Sequence, residues 1–174
     1  MKVAIIGLGN MGITYFKSFI ASHQIHPKDL YLLVRSKEKT LEQIPDAMPG
    51  SVFTNPDAFL GDVQVIILAV KPQDFQELSI QIKPYLKAHQ IALSIMAGIS
   101  IQTIQHSLGL TKVVRAMPNL PSSLRMGMTV FSCSSDLGIK ELLAVQNLLN
   151  TTGKTMHVEN ESSIDAATAI SGSG

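Results

Sequence analysis

Short apolar runs alternate with stretches in which apolar residues recur every three or four positions, and this rhythm organises most of the chain. Residues 2–6 form a β-branched apolar run closed by Gly7, the pattern of a strand buried on both faces. Over residues 11–21, Met11, Tyr15, Phe16 and Phe19 recur at helical spacing and make one stripe, which ends before His23 and Pro27. The same reading predicts strands over 30–34, 63–70, 91–95, 112–116 and 127–132, with a short one at Val52 and Phe53. Helices are predicted over 37–44, 75–86, 101–108 and 136–150; on the last, Ile139, Leu142, Leu143 and Leu149 share one face. Asn55 before Pro56, with Asp57 next, predicts a capped, brief helix ending near Gly61.

Strands without strict alternation, separated by amphipathic helices, imply an α/β domain with a doubly wound, mostly parallel sheet covered on both sides. The 174 residues, 45% of them hydrophobic, suffice for one sizeable core. Fourteen basic and 13 acidic residues are spread along the chain, so no footprint for nucleic acid or an anionic membrane stands out, and a small-molecule partner is expected. The longest apolar run, 63–70, is far short of the roughly 20 residues that cross a bilayer. Glycines at 7, 9 and 12 cut the apolar stretch after Lys2, which therefore lacks the core of a secretion signal. Cys133 is the only cysteine, as is usual in the reducing cytosol, and a cytoplasmic location is expected. The five histidines have no metal-ligand spacing, and neither a nucleophile nor paired carboxylates emerge; no metal and no catalytic side chain are assigned.

Gly7-Leu8-Gly9-Asn10-Met11-Gly12 is a G-x-G-x-x-G segment. Alone it is weak evidence, but here it leaves a buried strand and enters an amphipathic helix, the context of a Rossmann-type dinucleotide site. Gly7 permits the tight turn, Gly9 lets a pyrophosphate approach the backbone, and Gly12 lets helix and strand pack closely. The amides at the helix start, with the helix dipole behind them, favour an anion.

About 20 residues further on, an NAD site places Asp or Glu to bind the adenosine ribose. Here the strand ends in Val34-Arg35-Ser36-Lys37. A guanidinium, a hydroxyl and an ammonium at that corner suit a 2′-phosphate, so NADP(H) is expected in preference to NAD(H).

Four further segments carry a family resemblance: Ala69-Val70-Lys71-Pro72-Gln73, Ser94-Ile95-Met96-Ala97-Gly98-Ile99, Val114-Arg115-Ala116-Met117-Pro118-Asn119-Leu120-Pro121 and Gly127-Met128-Thr129. With their order and spacing, the chain resembles the pyrroline-5-carboxylate reductases along its whole length, and Ser171-Gly172-Ser173-Gly174 resembles the start of a further segment of that family. The resemblance implies reduction of 1-pyrroline-5-carboxylate, a cyclic imino acid, to L-proline by hydride from NAD(P)H. It places Ala69, Val70, Lys71 and Pro72 by the nicotinamide ribose, Asn55 near the adenosine, and Ala97, Gly98, Met117 and Asn119 on the nicotinamide side. Plainer roles stay open: Lys71 as a surface lysine at a strand end, Asn55 as a helix cap, and Met117 as a core filler. Two prolines would stiffen the 118–121 turn and fix the Asn119 amide.

The resemblance further implies a C-terminal helical domain that supplies the dimer interface and much of the substrate site. On that expectation residues 1–160 are the dinucleotide-binding domain, and 161–174 are a connecting helix and the start of the helical domain. The chain alone would bind NADP(H), turn over poorly and be mostly monomeric, whereas the full-length protein would be a homo-oligomer built on dimers. Two other readings remain: a different NADP-dependent Rossmann reductase, and a non-catalytic regulatory relative of the same family. Leu120 and Met96 stand where threonine and alanine are common in the family, which leaves room for a shifted substrate preference.

Overall fold

A computed structural model describes residues 1–119 and 127–171, with side chains as far as residue 166. Eight strands form one sheet: β1 Val3–Ile6, β2 Leu30–Leu33, β3 Val52–Phe53, β4 Val65–Leu68, β5 Ile91–Ser94, β6 Val113–Pro118, β7 Gly127–Cys133 and β8 Gly153–His157. Six helices accompany them: α1 Asn10–Ala21, α2 Lys37–Gln43, α3 Phe75–Ile82, α4 Ile101–Leu108, α5 Ile139–Leu149 and α6 Ser162–Ser171.

The sheet order is β3-β2-β1-β4-β5-β6-β7-β8. Pairings from β3 through β6 are parallel, β7 runs antiparallel to β6, and β8 runs parallel to β7. The central strands lack alternation because both faces are covered. Val3, Ile5, Val65 and Ile67 point into a core shared with Tyr15, Phe16 and Phe19 of α1 and Val145, Leu148 and Leu149 of α5. Ala4, Ile6, Ile66 and Leu68 point the other way, against Phe75 and Ile82 of α3 and Ile101, Ile104 and Leu108 of α4. The chain order reverses between β1 and β4, and open sheets of this kind bind ligands at the crevice beyond the strand ends there.

The doubly wound fold therefore stands as expected, with local corrections. The brief helix foreseen after Asn55 is a turn. Phe59 and Leu60 donate to the Pro56 carbonyl, one 3-10 turn spans Leu60–Asp62, and Asn55 forms no capping bond among the described residues. Aromatic packing dominates there instead: Phe59 stacks on Phe53 and on Tyr31, with centroids 4.5 and 5.5 Å away. The helix foreseen over 75–86 stops as α3 at Ile82, since Pro84 lacks an N–H, and a 3-10 turn Lys83–Tyr85 completes it. The 63–70 run contributes only Val65–Leu68 as strand.

Two differences are larger. On α5 the buried residues are Val145, Leu148 and Leu149, whereas Ile139 is 79% exposed and Leu143 54% exposed. Leu142 packs partly buried against the core, so the helix meets it from there to its C-terminal end. Strand β8 was not foreseen; it is an edge strand whose Lys154, Met156 and His157 are exposed, so it lacks the apolar run that marks the inner strands.

Candidate active site: a dinucleotide cleft

The G-x-G-x-x-G segment forms the turn from β1 into α1. Gly7 has φ +91°, and a Cβ there would sit 2.8 Å from Val70 Cγ1 and 2.9 Å from the Ala69 carbonyl group. Gly7 N donates to Leu33 O at 3.2 Å, which ties the turn to β2. A Cβ on Gly12 would collide with the Gly7 carbonyl oxygen, so helix and turn can close only on glycine. Around Gly9, by contrast, nothing lies within 4 Å of a would-be Cβ. Gly9 is also the N-cap of α1 and offers no side-chain acceptor, which leaves the first-turn amides free to meet a ligand. The first turn of α1 holds no acidic residue. This cradle fits a pyrophosphate.

The glycine turn opens onto a cleft of about 670 Å³. Gly7, Leu8, Gly9, Arg35, Ser36, Ala69, Val70 and Lys71 line it, so eight of the residues singled out in the sequence meet in one place. Asn10, Met11 and Gly12 stand behind them as the first turn of α1. Lys37 begins α2 outside the cleft lining, and Asn55 and Pro72 also fall outside it; both are exposed. Ala97, Gly98, Met117 and Asn119 are not part of this lining either: Ala97 and Gly98 follow β5, and Met117 and Asn119 stand at the end of β6.

Ser36 caps α2, its Oγ accepting from Lys39 N at 3.4 Å. Lys39, a residue that sequence reasoning passed over in favour of Lys37, lines the cleft. Arg35, Lys39 and Lys71 give the lining three cations against Asp74 and Glu77. Asp74 was also passed over: its Oδ2 lies 3.1 Å from Arg35 Nη2. It comes from the 3-10 turn Pro72–Asp74 after β4, which the lysine–proline segment starts. Glu38 is near as well, accepting from Ser36 Oγ at 3.3 Å. The corner thus has two carboxylates, Glu38 from the local sequence and Asp74 from 39 residues away.

At the other end, Asn119 Oδ1 accepts from Met128 N at 2.9 Å, bridging the ends of β6 and β7. That bond engages the amide oxygen. The two-proline turn foreseen as its support lies partly outside the described residues, which omit Leu120 and Pro121. Gly98 adopts φ +72° in the turn between β5 and α4, and Ser100 caps α4 by accepting from Thr103 N at 3.1 Å.

Further along the same side, Arg115 of β6 is only 4% exposed. Its Nη1 lies 3.0 Å from Glu161 Oε1 and its Nη2 2.5 Å from Asp165 Oδ1. Burial pulls its pKa down, but the hydrogen bonds to Asp165 and Glu161 outweigh that and raise it. Cys133, 3.6 Å from His157 Nε2, has its thiol pKa pushed up by burial, which suits a packed thiol rather than a reactive one. Among the described residues no group of His, Cys, Asp and Glu is arranged to hold a metal, and no helix is long and apolar enough to cross a membrane.

A family described as NADP oxidoreductase, coenzyme F420-dependent, matches residues 2–98, more than half of the chain and all of β1 through β5. The chain belongs to this family. Within the family it is similar to pyrroline-5-carboxylate reductase 2 of Bacillus subtilis, with 34% identity over 99% of the chain and 62% of that protein. The structure of a pyrroline-5-carboxylate reductase from Coxiella burnetii superposes with TM-score 0.90 at 26% identity, covering 99% of the chain and 64% of its own. A Plasmodium falciparum pyrroline carboxylate reductase with NADP bound gives TM-score 0.85 at 25% identity, covering 99% and 62%. The resemblance read from the motifs is therefore upheld. The chain spans less than two thirds of the length of these relatives.

Proposed function

We propose that this chain is the cofactor-binding part of a pyrroline-5-carboxylate reductase, which reduces 1-pyrroline-5-carboxylate to L-proline, the last step of proline biosynthesis. The observation that carries the proposal is the open space over Gly9 at the start of α1, in a chain whose relatives bear that name. When bound, NADPH supplies a hydride to the carbon of the C=N bond; the chain's own residues bind, orient and exclude water.

In this reading the amides of Asn10, Met11 and Gly12 receive the pyrophosphate, framed by Gly7, Leu8 and Gly9. Arg35 and Ser36, with Lys37 behind and Lys39 added, receive a 2′-phosphate, which makes NADP(H) the preferred cofactor over NAD(H). Asn55 lies toward the adenosine. Ala69, Val70, Lys71 and Pro72 leave the C-terminal end of β4 along the path of the nicotinamide ribose. Ala97, Gly98, Met117 and Asn119 border the nicotinamide from the ends of β5 and β6. No side chain of the chain is given a proton-transfer role. The protein acts in the cytoplasm, the complete enzyme is a homo-oligomer built on dimers, and the 174-residue chain by itself is a monomer that binds NADP(H) with little turnover.

The test is proline formation from pyrroline-5-carboxylate and NADPH. The chain joined to the C-terminal part of the Bacillus subtilis relative should form proline in step with NADPH oxidation. A folded, NADPH-binding chimaera that forms none would count against the assignment.

A further inference from the structure

In the proposed reading the nicotinamide is bordered by two segments that lie outside the lining of the glycine-turn cleft, residues 97–99 and 117–119. One carboxylate joins the supports of both. Glu161 Oε1 accepts from Ile101 N at 2.9 Å, the first amide of α4, which follows the 97–99 segment. The same oxygen accepts from Arg115 Nη1 at 3.0 Å, two residues before Met117. Asp165, one turn further along α6, takes Arg115 Nη2. A third tie lies beneath: Ser94 pairs in register with Arg115, and its Oγ accepts from Met96 N at 3.2 Å, the residue before Ala97.

We infer that Glu161 and Arg115 are positioning residues that clamp the two nicotinamide-side segments at a fixed spacing. This rests on the reading of 97–98 and 117–119 as the nicotinamide border. A buried ionic cluster around an arginine 4% exposed, in a strand where its neighbours are Val114 and Ala116, is a poor choice for stability alone, because replacing the whole cluster with apolar side chains of similar volume often serves as well or better. What the ionic arrangement adds is geometric uniqueness. Both guanidinium Nη groups and the Ile101 amide are satisfied together only when β6, the start of α4 and the start of α6 stand as they do. Arg115 Nε, buried and without a hydrogen-bond partner among the described residues, shows that the fold tolerates a cost to keep the guanidinium there.

The experiment compares two ligands on the 174-residue chain: NADPH, and adenosine 2′,5′-bisphosphate, which lacks the nicotinamide half. In E161A, NADPH affinity should fall about tenfold, as expected for a network residue that touches neither ligand. Affinity for the bisphosphate should stay within about twofold of wild type. Should E161A fail to fold, E161Q keeps the side chain's volume and one acceptor, and the same selective loss should appear at smaller size. Equal losses for both ligands, or no loss for either, would overturn the clamp while leaving the cofactor site standing. Wild-type chain that binds neither ligand, or binds NADPH no more tightly than the bisphosphate, would sink the cofactor reading or its nicotinamide half, and the clamp with it.

Discussion

Two arginines divide this domain between them. Arg35 follows β2 with its side chain 90% exposed and one carboxylate, Asp74, at 3.1 Å. Arg115 sits inside β6, 4% exposed, with two carboxylates at 3.0 and 2.5 Å. The exposed pair is screened by water and holds its partners loosely, so the cation remains available to an incoming phosphate. The buried guanidinium is itself shut off from solvent, the loss of its partners is costly, and it serves the frame instead of the ligand. The same side chain recognises in one place and organises in the other, and burial decides which.

Removing each cation in turn should separate the roles. The largest effect is expected for Arg115→Met, which leaves Glu161 and Asp165 without their partner. Those carboxylates are 28% and 63% exposed, so water relieves part of the penalty, and a loss of about 2–3 kcal/mol is expected from urea unfolding. A loss under about 0.5 kcal/mol would remove the contrast between the arginines. Next, Arg35→Asp should change stability by less than about 0.5 kcal/mol yet weaken NADPH binding tenfold or more, with NADH far less affected. Equal weakening of both cofactors would sink the 2′-phosphate assignment.

Smaller changes sharpen the picture. Asp74→Asn removes a negative charge from the phosphate corner and releases Arg35, so NADPH should bind about two- to threefold more tightly while NADH is unchanged. A weaker NADPH complex would mean that Asp74 chiefly pre-orients Arg35. The smallest effect concerns Glu141, whose pKa is lowered by the hydrogen bond from Lys112 and by the Gly138 N–H. A lowered carboxylate pKa contributes stability above the ordinary value of 4.5, lost as pH falls through the folded value. The two side chains are 26% and 31% exposed, so solvent screens part of the interaction, and Glu141→Gln should cost under about 1 kcal/mol at neutral pH and nothing once the pH is well below that value. An undiminished difference at low pH would contradict this origin.

What could be read in advance follows the same division. The phosphate turn depends on contiguous residues, and each glycine answers a local demand of the backbone, so Gly7 through Gly12 and the sheet's inner strands were legible from pattern alone. Arg35 was legible as a cation at a strand end, but its partner is 39 residues away, in a turn whose own sequence carries no sign of it. The links from Arg115 to Glu161 and Asp165 span 46 and 50 residues, and no periodicity connects them. Edge strand β8 escaped because a strand covered on one side, carrying Lys154 and His157 outward, has no apolar run to announce it. The face of α5 was misassigned at Ile139 and Leu143 because helical spacing gives a stripe, while how much of the stripe meets the core depends on where the helix leaves the sheet.

The most direct test of the account is a calorimetric titration of the folded 174-residue chain with NADPH and, separately, with NADH. Saturable binding of one NADPH per chain, clearly tighter than NADH, is the predicted result. Absence of saturation with NADPH would contradict the claim that the start of α1 and the Arg35 corner together form a dinucleotide phosphate site.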